Sequence, residues 1–214
     1  MKGILIRNIE RNKKIVVITF IVFIVGIIIL GVMMKALVPT LELKASKKGT
    51  KVNSKEEIVV PVTLSKLPEG IYPAASVSIK FDSNKLEFLG LASGTMETYN
   101  DYDKEGQSKV TFKVPNWTYN TKLANEEGEI KAMYLDTTVG KNAYNKDGFK
   151  KGEKDMPFKL MFRLKSSANP KDNIKIEFNE AVFATETGDK DKSTLSTKKG
   201  YGALGVKNTV IKVL

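Results

Sequence analysis

Two absences limit the residues that could carry chemistry in this chain. Its 214 residues include no histidine and no cysteine. Their absence excludes a Ser-His-Asp triad, a cysteine nucleophile, a disulfide framework and any zinc or iron site ligated by His or Cys. Carboxylate, lysine, tyrosine, serine and threonine remain available for catalysis, and no organised set of these stands out. The sequence therefore predicts a protein that is not an enzyme.

Two acidic segments have part of the composition of a calcium-binding loop. Residues 101–106, DYDKEG, match the start of such a loop, but Phe112 occupies the twelfth position, where a bidentate glutamate is needed. Residues 189–193, DKDKS, lack the sixth-position glycine and have Gly200 at the twelfth. Both segments are interpreted as solvated turns, so no metal site or cofactor is predicted in this chain. Carboxylate pairs for glycoside hydrolysis could be chosen in many ways, and the sequence places none at the required separation.

The single tryptophan, Trp117, lies in the segment Asn116-Trp117-Thr118-Tyr119. If Trp117 and Tyr119 were exposed, they could stack on sugar rings, and the domain would be a carbohydrate-binding module acting in polysaccharide binding or breakdown. Tryptophan is also commonly buried with its indole N–H hydrogen-bonded, and we favour this interpretation. Residues 116–118 also match a glycosylation sequon, a pattern that three residues often meet by chance.

Alternation of apolar and polar residues predicts strands throughout the second part of the chain. The alternation is clearest at 77–81, 110–114, 158–164 and 174–178. Further strands are predicted at 41–45, 57–64, 86–92, 129–135, 181–185 and 206–213. No segment has the sustained period of an amphipathic helix. About nine short strands, separated by Gly- and Asp-containing turns, predict an all-β antiparallel sandwich of two packed sheets.

The first part of the chain contains one long apolar segment. Residues 15–34 are twenty residues without a charge. As a helix, this segment would span a hydrocarbon core of about 30 Å. A secretory signal peptide would have a shorter apolar region, followed by a small-x-small cleavage site that residues 32–36, VMMKA, do not provide. We therefore predict an uncleaved transmembrane helix, a signal anchor, over residues 15–38.

Basic residues predict the orientation of this anchor. Arg7, Arg11, Lys13 and Lys14 crowd its amino-terminal end, whereas Lys35 stands alone at the other. The positive-inside rule then places residues 1–14 in the cytoplasm as a basic tail. The prediction is a single-pass protein of the cell membrane that contacts the lipid bilayer through residues 15–38 and displays an extracytoplasmic domain, residues 39–214.

The net charge of +11 raises the question of a nucleic-acid partner. The lysine pairs at 47–48, 150–151 and 198–199 are scattered, and no recognition motif accompanies them. No nucleic-acid partner is predicted. Anionic wall polymers, lipid headgroups or acidic proteins are the partners that an exported basic domain would meet.

Motifs along the second part of the chain follow a recognisable order. The first group is VVPVTL (59–64), LPEGI (67–71), VSIKFD (77–82) and SNKLEF (83–88). The second group is YLDTT (134–138), DG (147–148), FKLMFRLKS (158–166), AVFA (181–184) and a closing strand at 210–213. This order resembles that of the cohesin domain, the receptor half of the cohesin–dockerin pair. The resemblance implies a nine-stranded jelly-roll β-sandwich and a non-catalytic protein-binding module. It also implies that calcium would enter only through a calcium-loaded dockerin partner.

One departure from the cohesin pattern concerns the binding residues. In many cohesins the strand before the aromatic-Asp motif carries Asn and Asp side chains that hydrogen-bond the dockerin. Ala74 and Ser76 occupy those places here. The usual polar contacts would therefore be missing or changed, and the resemblance supports the fold more than it supports dockerin binding.

Two predicted strands supply the candidate partner-binding residues. The outward side of residues 74–82 presents Ala74, Ser76, Ser78 and Lys80. The strand at 109–114 presents Lys109, Thr111 and Lys113. Cohesin topology implies that the two strands share a sheet, which would make a flat face of small and basic residues that steers an acidic partner. The alternative is an ordinary solvated sheet face.

Three functions remain open on the sequence. The first is a module that recruits a dockerin-like or other protein partner to the cell surface. The second is the carbohydrate-binding module described above, with polysaccharide as its ligand. The third is a structural component of an envelope assembly.

Overall fold

The computed structural model describes residues 20–27, 38–52, 55–100, 111–138, 142–149, 154–186 and 192–214. The chain separates into two compact units, Met1–Val38 and Pro39–Leu214.

In the first unit, residues 20–27 are helical. Their exposed apolar side chains are Phe20, Ile21, Val22, Phe23, Ile24, Val25 and Ile27. Within the described residues, no helix combines the length and the apolar character that a membrane crossing requires. Residues 15–19 and 28–37 of the predicted span lie outside the described residues, as does the whole predicted tail 1–14.

The described part of the second unit consists mainly of β-strands. In chain order the fourteen strands are β1 (Thr40–Leu43), β2 (Ile58–Leu64), β3 (Ala74–Phe81), β4 (Leu86–Ser93), β5 (Thr98–Asn100), β6 (Thr111–Lys113), β7 (Thr118–Tyr119), β8 (Glu129–Leu135), β9 (Asp155–Leu164), β10 (Asn173–Ala184), β11 (Leu195–Ser196), β12 (Gly202–Ala203), β13 (Gly205–Lys207) and β14 (Thr209–Lys212). The helical elements are α1 (Thr121–Glu127) and one 3-10 turn, Lys146–Gly148. The predicted all-β class is confirmed for this unit. The predicted count of nine strands is not confirmed, because several strands have only two or three residues.

The strands form two main sheets that pack as a sandwich. The five-stranded sheet has the order β13-β1-β2-β9-β4. The seven-stranded sheet has the order β12-β11-β10-β3-β8-β7, with β14 also paired to β10. Strands β5 and β6 make a separate two-stranded sheet. The β1–β13 and β11–β12 pairs are parallel, and the other pairs are antiparallel.

The core lies between the two main sheets and follows the period-two pattern of the sequence. Strand β9 buries Phe158, Leu160, Phe162 and Leu164. The ring of Phe162 lies 5.3 Å from that of Phe81 on β3 and 5.6 Å from that of Phe88 on β4. Burial of each such side chain contributes about 1.5–3 kcal/mol, which is why alternating strands assemble into a two-layer structure.

A β-bulge joins two predicted strands, 174–178 and 181–185, into the single strand β10. The register between β10 and β3 shifts between Phe178 and Glu180, so Asn179 is the additional residue. An extra residue exchanges the two faces of a strand, because side chains alternate with a period of two. The buried residues are therefore even-numbered before the bulge and odd-numbered after it: Ile174, Ile176, Ala181 and Phe183.

Helix α1 covers the edge strand β4 of the five-stranded sheet. The side chain of Asn120 caps the helix by accepting a hydrogen bond from the backbone N–H of Leu123 at 3.0 Å. Asn125 Oδ1 accepts from the backbone N–H of Phe88 at 2.8 Å, and Asn125 Nδ2 donates to the carbonyl of Phe88 at 2.8 Å. The amide of Asn125 thus replaces a neighbouring strand at this point of the edge.

Candidate partner-binding face

The outer side of the seven-stranded sheet is centred on β3. The side chains of Ala74, Ser76, Ser78 and Lys80 point away from the core, while the residues between them are buried. The predicted outward orientation of these four residues is confirmed, and their role in binding stays a prediction. Strands β8 and β10 flank β3 and contribute residues at matching positions.

The second predicted strand does not join this face. Strand β6, which contains Thr111 and Lys113, pairs with β5 in the separate two-stranded sheet. The prediction that this strand shares a sheet with β3 is therefore wrong, because β6 pairs with β5 outside the seven-stranded sheet, in which β8 and β10 are the neighbours of β3. Lys109 lies outside the described residues.

The outward residues beside β3 come from β8 and β10 and not from β6. Strand β8 presents Glu129, Lys131, Met133 and Leu135 beside β3. Strand β10 presents Glu177, Glu180, Val182 and Ala184 on the other side of β3. Alternation within 129–135 identifies the outward residues of β8 from sequence alone. That β8 and β10 pair with β3 could be identified only from the tertiary structure.

Glutamates balance the lysines of this face, so it is not the basic surface that the sequence analysis predicted. Lys80 lies opposite Glu129 on β8 and Glu177 on β10. Lys131 Nζ is 2.9 Å from an oxygen of Glu127, and this interaction is the main cause that raises the pKa of Lys131. Farther along the sheet, Lys198 Nζ is 2.7 Å from Glu180 Oε1. A balanced surface of this kind gives little long-range attraction to an acidic partner.

Glu129 is the centre of a hydrogen-bond network at the polar end of the face. Its Oε1 accepts hydrogen bonds from the Ser78 hydroxyl and from Asn179 Nδ2, the latter at 2.8 Å. The bond from Ser78 is the main cause that lowers the pKa of the Glu129 carboxyl, with smaller contributions from Asn179 and from Lys131. The bulge in β10 places Asn179 in this network, and no periodic pattern in the sequence predicts it.

The opposite end of the face is apolar and concave. Met133 and Leu135 are 56% and 65% exposed, although both are large apolar side chains. They line a depression of about 410 Å³, the apolar depression, together with Ala74, Val182 and Ala184. Its lining also includes polar residues, among them Glu180, Thr194, Ser196, Lys198 and Tyr201. Exposed apolar side chains grouped around a depression are typical of a surface that binds another molecule.

A second depression, which like the first is lined mostly by apolar surface, continues it along the strands. Its volume is about 710 Å³, and its lining includes Ser78, Glu129, Lys131 and Tyr119. The two depressions share Ser76, Met133 and Glu180. Together they form a trough that follows β3 from Ser78 to Ala74.

Solved structures with the same fold include several cohesin modules. One is the third cohesin of ScaC from Acetivibrio cellulolyticus, in complex with the ScaB dockerin: identity 16%, TM-score 0.55, covering 82% of this chain and 99% of that chain. Another is the sixth cohesin of scaffoldin B from the same organism, in complex with a Cel5 dockerin mutant: identity 20%, TM-score 0.54, covering 83% and 99%. The OlpA cohesin of Clostridium thermocellum, in a cohesin–dockerin complex, is 15% identical with a TM-score of 0.53, covering 82% and 99%.

The chain contains a domain with a cohesin-like fold. No family model and no curated protein sequence matches the chain. At identities of 15–20%, the likeness to the three cohesins concerns the fold. The resemblance stated from the sequence motifs is confirmed at that level.

Trp117 does not form a sugar-stacking platform in this cohesin-like domain. Its side chain is 6% exposed, and its Nε1–H donates to the Tyr144 hydroxyl at 3.0 Å. Its ring packs on Phe158 with 4.7 Å between ring centroids. The favoured interpretation, a buried and hydrogen-bonded indole, is confirmed, and the alternative role of Trp117 in carbohydrate stacking is wrong because no sugar ring can reach it.

Tyr119, the other residue of the carbohydrate alternative, is one of the residues that line the second depression. It is 37% exposed, and the edge of its ring meets Phe88 with 5.9 Å between centroids. Gly90 has a φ of +142°, which favours glycine, and a Cβ atom there would lie 2.8 Å from the Tyr119 hydroxyl, so the tyrosine would have to shift. One partly exposed tyrosine remains of the two predicted stacking residues.

The described residues contain no cluster of three or more side chains that could hold a metal ion. The acidic segment 101–106 and residues 189–191 of the second segment lie outside the described residues.

Proposed function

We propose that this protein is a membrane-anchored cohesin-like module that recruits a dockerin-like protein partner at the cell surface. The observation that carries the proposal is the fold match to three cohesins, each solved in complex with a dockerin and covered to 99% of its length. The trough over β8, β3 and β10 is the binding surface in this proposal. Its exposed Met133 and Leu135 give the apolar contact area that such an interface needs.

The anchor rests on the first part of the chain. Residues 15–34 carry no charge, and basic residues crowd their amino-terminal side. The described helical residues 20–27 are apolar on all sides, with side chains such as Phe20 and Phe23 about two-thirds exposed. A helix that is hydrophobic all round requires an apolar environment, which supports a bilayer as the surroundings of this segment.

Partner binding can be tested by titration calorimetry of the full chain against calcium-loaded dockerins, including the ScaB dockerin. We expect saturable binding to at least one dockerin, and loss of binding when a chelator removes the calcium of the dockerin. Ser76→Arg places a large cation in the centre of the trough and should abolish binding. Ser93→Arg, at an exposed position of β4, is the matched control and should bind normally. Failure of every dockerin to bind would contradict the proposal.

The orientation of the anchor can be tested separately, because the chain has no cysteine of its own. Single cysteines are introduced by Asn8→Cys, before the apolar segment, and by Ser46→Cys, after it. In intact cells, a membrane-impermeant maleimide should label the Ser46→Cys variant only. Both variants should be labelled after the cells are lysed. Labelling of Asn8→Cys in intact cells would reverse the proposed topology.

A further inference from the structure

We infer that seven exposed lysines around strand β14 form a surface that binds a linear polyanion of the cell envelope, in which phosphodiester groups recur along the polymer. None of these lysines lines the trough over β8, β3 and β10, so the inference goes beyond the proposed function and does not depend on dockerin binding. The lysines, called the basic surface, are Lys44, Lys47, Lys48, Lys51, Lys171, Lys207 and Lys212.

Folding brings together lysines that are scattered in the sequence. On one side, β14 pairs with the start of β10. On the other side it contacts the segment that follows β1. The backbone N–H of Ala45 donates to Thr209 Oγ1 at 3.1 Å, and the backbone N–H of Thr50 donates to the carbonyl of Lys212 at 2.8 Å. The segments that meet here are 44–52, 171–173 and 207–214.

The charge of these three segments is strongly one-sided. They contain seven lysines and a single acidic residue, Asp172. All seven lysines are exposed, and none of them forms an ion pair within the part of the chain that the structure describes. The outer face around β3 is different, because glutamates balance its lysines. The basic surface can therefore attract an anionic partner, which the charge-balanced face cannot do.

The carboxylates at the border of this surface have lysine partners from outside it. Asp172 Oδ2 lies 2.9 Å from Lys85 Nζ. Glu42 on β1 accepts a hydrogen bond from Lys154, and this bond is the main cause that lowers the pKa of Glu42. Two lysines of the basic surface, at positions 44 and 207, contribute less to that shift. Because other lysines already pair with these carboxylates, the surplus positive charge stays available for a partner.

The residue types favour a polyanion that is recognised by charge alone. Lysine binds phosphate as a compact point charge. Nucleic acid bases are read by arginine forks or stacked on aromatic rings, and the three segments contain no arginine and no aromatic residue. The lysines extend along the whole of β14, whose four residues cover about 13 Å at about 3.3 Å per residue. A linear polymer can contact several lysines at once over this length, and such linked contacts raise the affinity.

The position of the surface favours a polymer over lipid headgroups. The unit begins at Pro39, just before β1, whereas Lys44 follows the last residue of β1. A surface that met lipid headgroups would be expected near the residues that follow the proposed anchor, and the basic surface lies at the other end of β1. The choice of polymer over lipid therefore rests on the proposed anchor, and the binding of a polyanion does not.

Fluorescence anisotropy of labelled poly(glycerol phosphate) tests the inference with the full chain in phosphatidylcholine nanodiscs. We expect saturable binding that weakens about 100-fold between about 50 and 200 mM salt, as for about five phosphate contacts. Glycerol phosphate at an equal phosphate concentration should not displace the polymer. Single-stranded DNA with the same number of phosphates should bind no more tightly than the polymer. Absence of saturable binding, or a preference for DNA of more than about tenfold, would overturn the inference.

Double variants localise the binding to the basic surface. Lys47→Gln with Lys48→Gln should weaken polymer binding by about tenfold and reduce the salt dependence by about two contacts. Lys171→Gln with Lys212→Gln removes the same charge from the other two segments and should have a similar effect. The matched control is Lys122→Gln with Lys199→Gln, two exposed lysines elsewhere, for which we expect less than about a twofold change. An equal loss in all three double variants would mean that net charge alone drives binding, and the inference would be wrong.

Two further measurements separate this inference from the alternatives. Lys47→Gln with Lys48→Gln should leave dockerin binding unchanged, because these lysines lie outside the trough. Vesicles of phosphatidylcholine and phosphatidylglycerol should displace the labelled polymer less efficiently, per phosphate, than unlabelled polymer does. More efficient displacement by the vesicles would assign the surface to lipid headgroups and overturn the inference. If the polymer binds and no dockerin does, the proposed function is overturned and the inference stands.

Discussion

The two sides of strand β3 differ in composition and in what holds their side chains. The inner side consists of Ala75, Val77, Ile79 and Phe81, all buried between the sheets. The outer side consists of Ala74, Ser76, Ser78 and Lys80, which face solvent or neighbours on β8 and β10. Because only the inner side contributes to the core, outer residues can change without altering the fold. Ala74 and Ser76 are outer residues of this kind.

The largest loss of stability is expected when a ring that packs against the inner side of β3 is removed. Phe162→Ala removes a ring that packs against Phe81 and Phe88, and it should lower the free energy of unfolding by about 3–5 kcal/mol. Urea unfolding followed by the fluorescence of Trp117 measures this change. The control is Lys175→Ala, on the exposed side of β10, where less than about 0.5 kcal/mol is expected. A similar loss in both variants would mean that the two sides do not differ energetically.

A somewhat smaller effect is expected at Trp117. Trp117→Phe removes the bond to the Tyr144 hydroxyl and part of a buried ring system, and it should cost about 2 kcal/mol. Tyr119→Phe, which keeps the partly exposed ring, should cost less than about 0.5 kcal/mol. Circular dichroism follows unfolding for both variants. If Trp117→Phe left stability unchanged and instead removed retention on a polysaccharide gel, the burial of Trp117 would not be its role.

An intermediate loss of stability is expected at the edge strand β4 of the five-stranded sheet. Asn125→Ala removes both hydrogen bonds to the backbone of Phe88 and should destabilise the domain by about 1–2 kcal/mol. Glu126→Ala on the same helix removes only an exposed, long ion pair with Lys122 and serves as the control. Because β4 is then uncovered at this point, we also expect faster aggregation of the Asn125→Ala variant by light scattering. If the two variants were equally stable, Asn125 would not stabilise the edge of the sheet.

The smallest loss of stability is expected in the hydrogen-bond network around Glu129, on the outer side of the sheet. The folded-state pKa of Glu129 is lowered mainly by Ser78, so this carboxylate adds stability above its unfolded pKa of about 4.3, and that stability is lost as the pH falls through the lowered value. Ser78→Ala should reduce the stability lost between neutral pH and about pH 3, by less than about 1 kcal/mol. Urea unfolding at the two pH values, with Ser76→Ala as control, measures the difference. A steeper pH dependence in Ser78→Ala would contradict the assignment.

Regular alternation in the sequence predicted the long strands well. Strands β3 and β9 follow the predicted segments, because each buries every second residue over a long run. Helix α1 was not predicted, since seven residues are too few to develop a helical period and only its caps, Asn120 and Gly128, mark its ends. The continuity of β10 was missed for a related reason, because Asn179 reverses the alternation in its middle.

The proposed binding face was predicted in part. The outward orientation of its central residues on β3 was predicted correctly, because orientation within a strand is a local property of the chain. Thr111 and Lys113 were assigned to the face wrongly, because strand pairing depends on residues distant in sequence. The predicted basic character was also wrong. Lys80 lies opposite glutamates of β8 and β10, strands that are distant in sequence, whereas Glu127, the partner of Lys131, is only four residues away from it.

The sequence by itself determined which side of each long strand is buried, because hydrophobic burial acts on every second residue whatever the partner strand is. It also excluded catalysis, disulfides and metal sites that depend on histidine or cysteine, because folding cannot supply residue types that the chain lacks. Only the tertiary structure decided which strands flank β3, that Trp117 is enclosed, and that Ala74, Leu135 and Val182 meet around one depression. The three residues around the depression are about 50 to 110 positions apart in sequence, and packing in three dimensions brings them together.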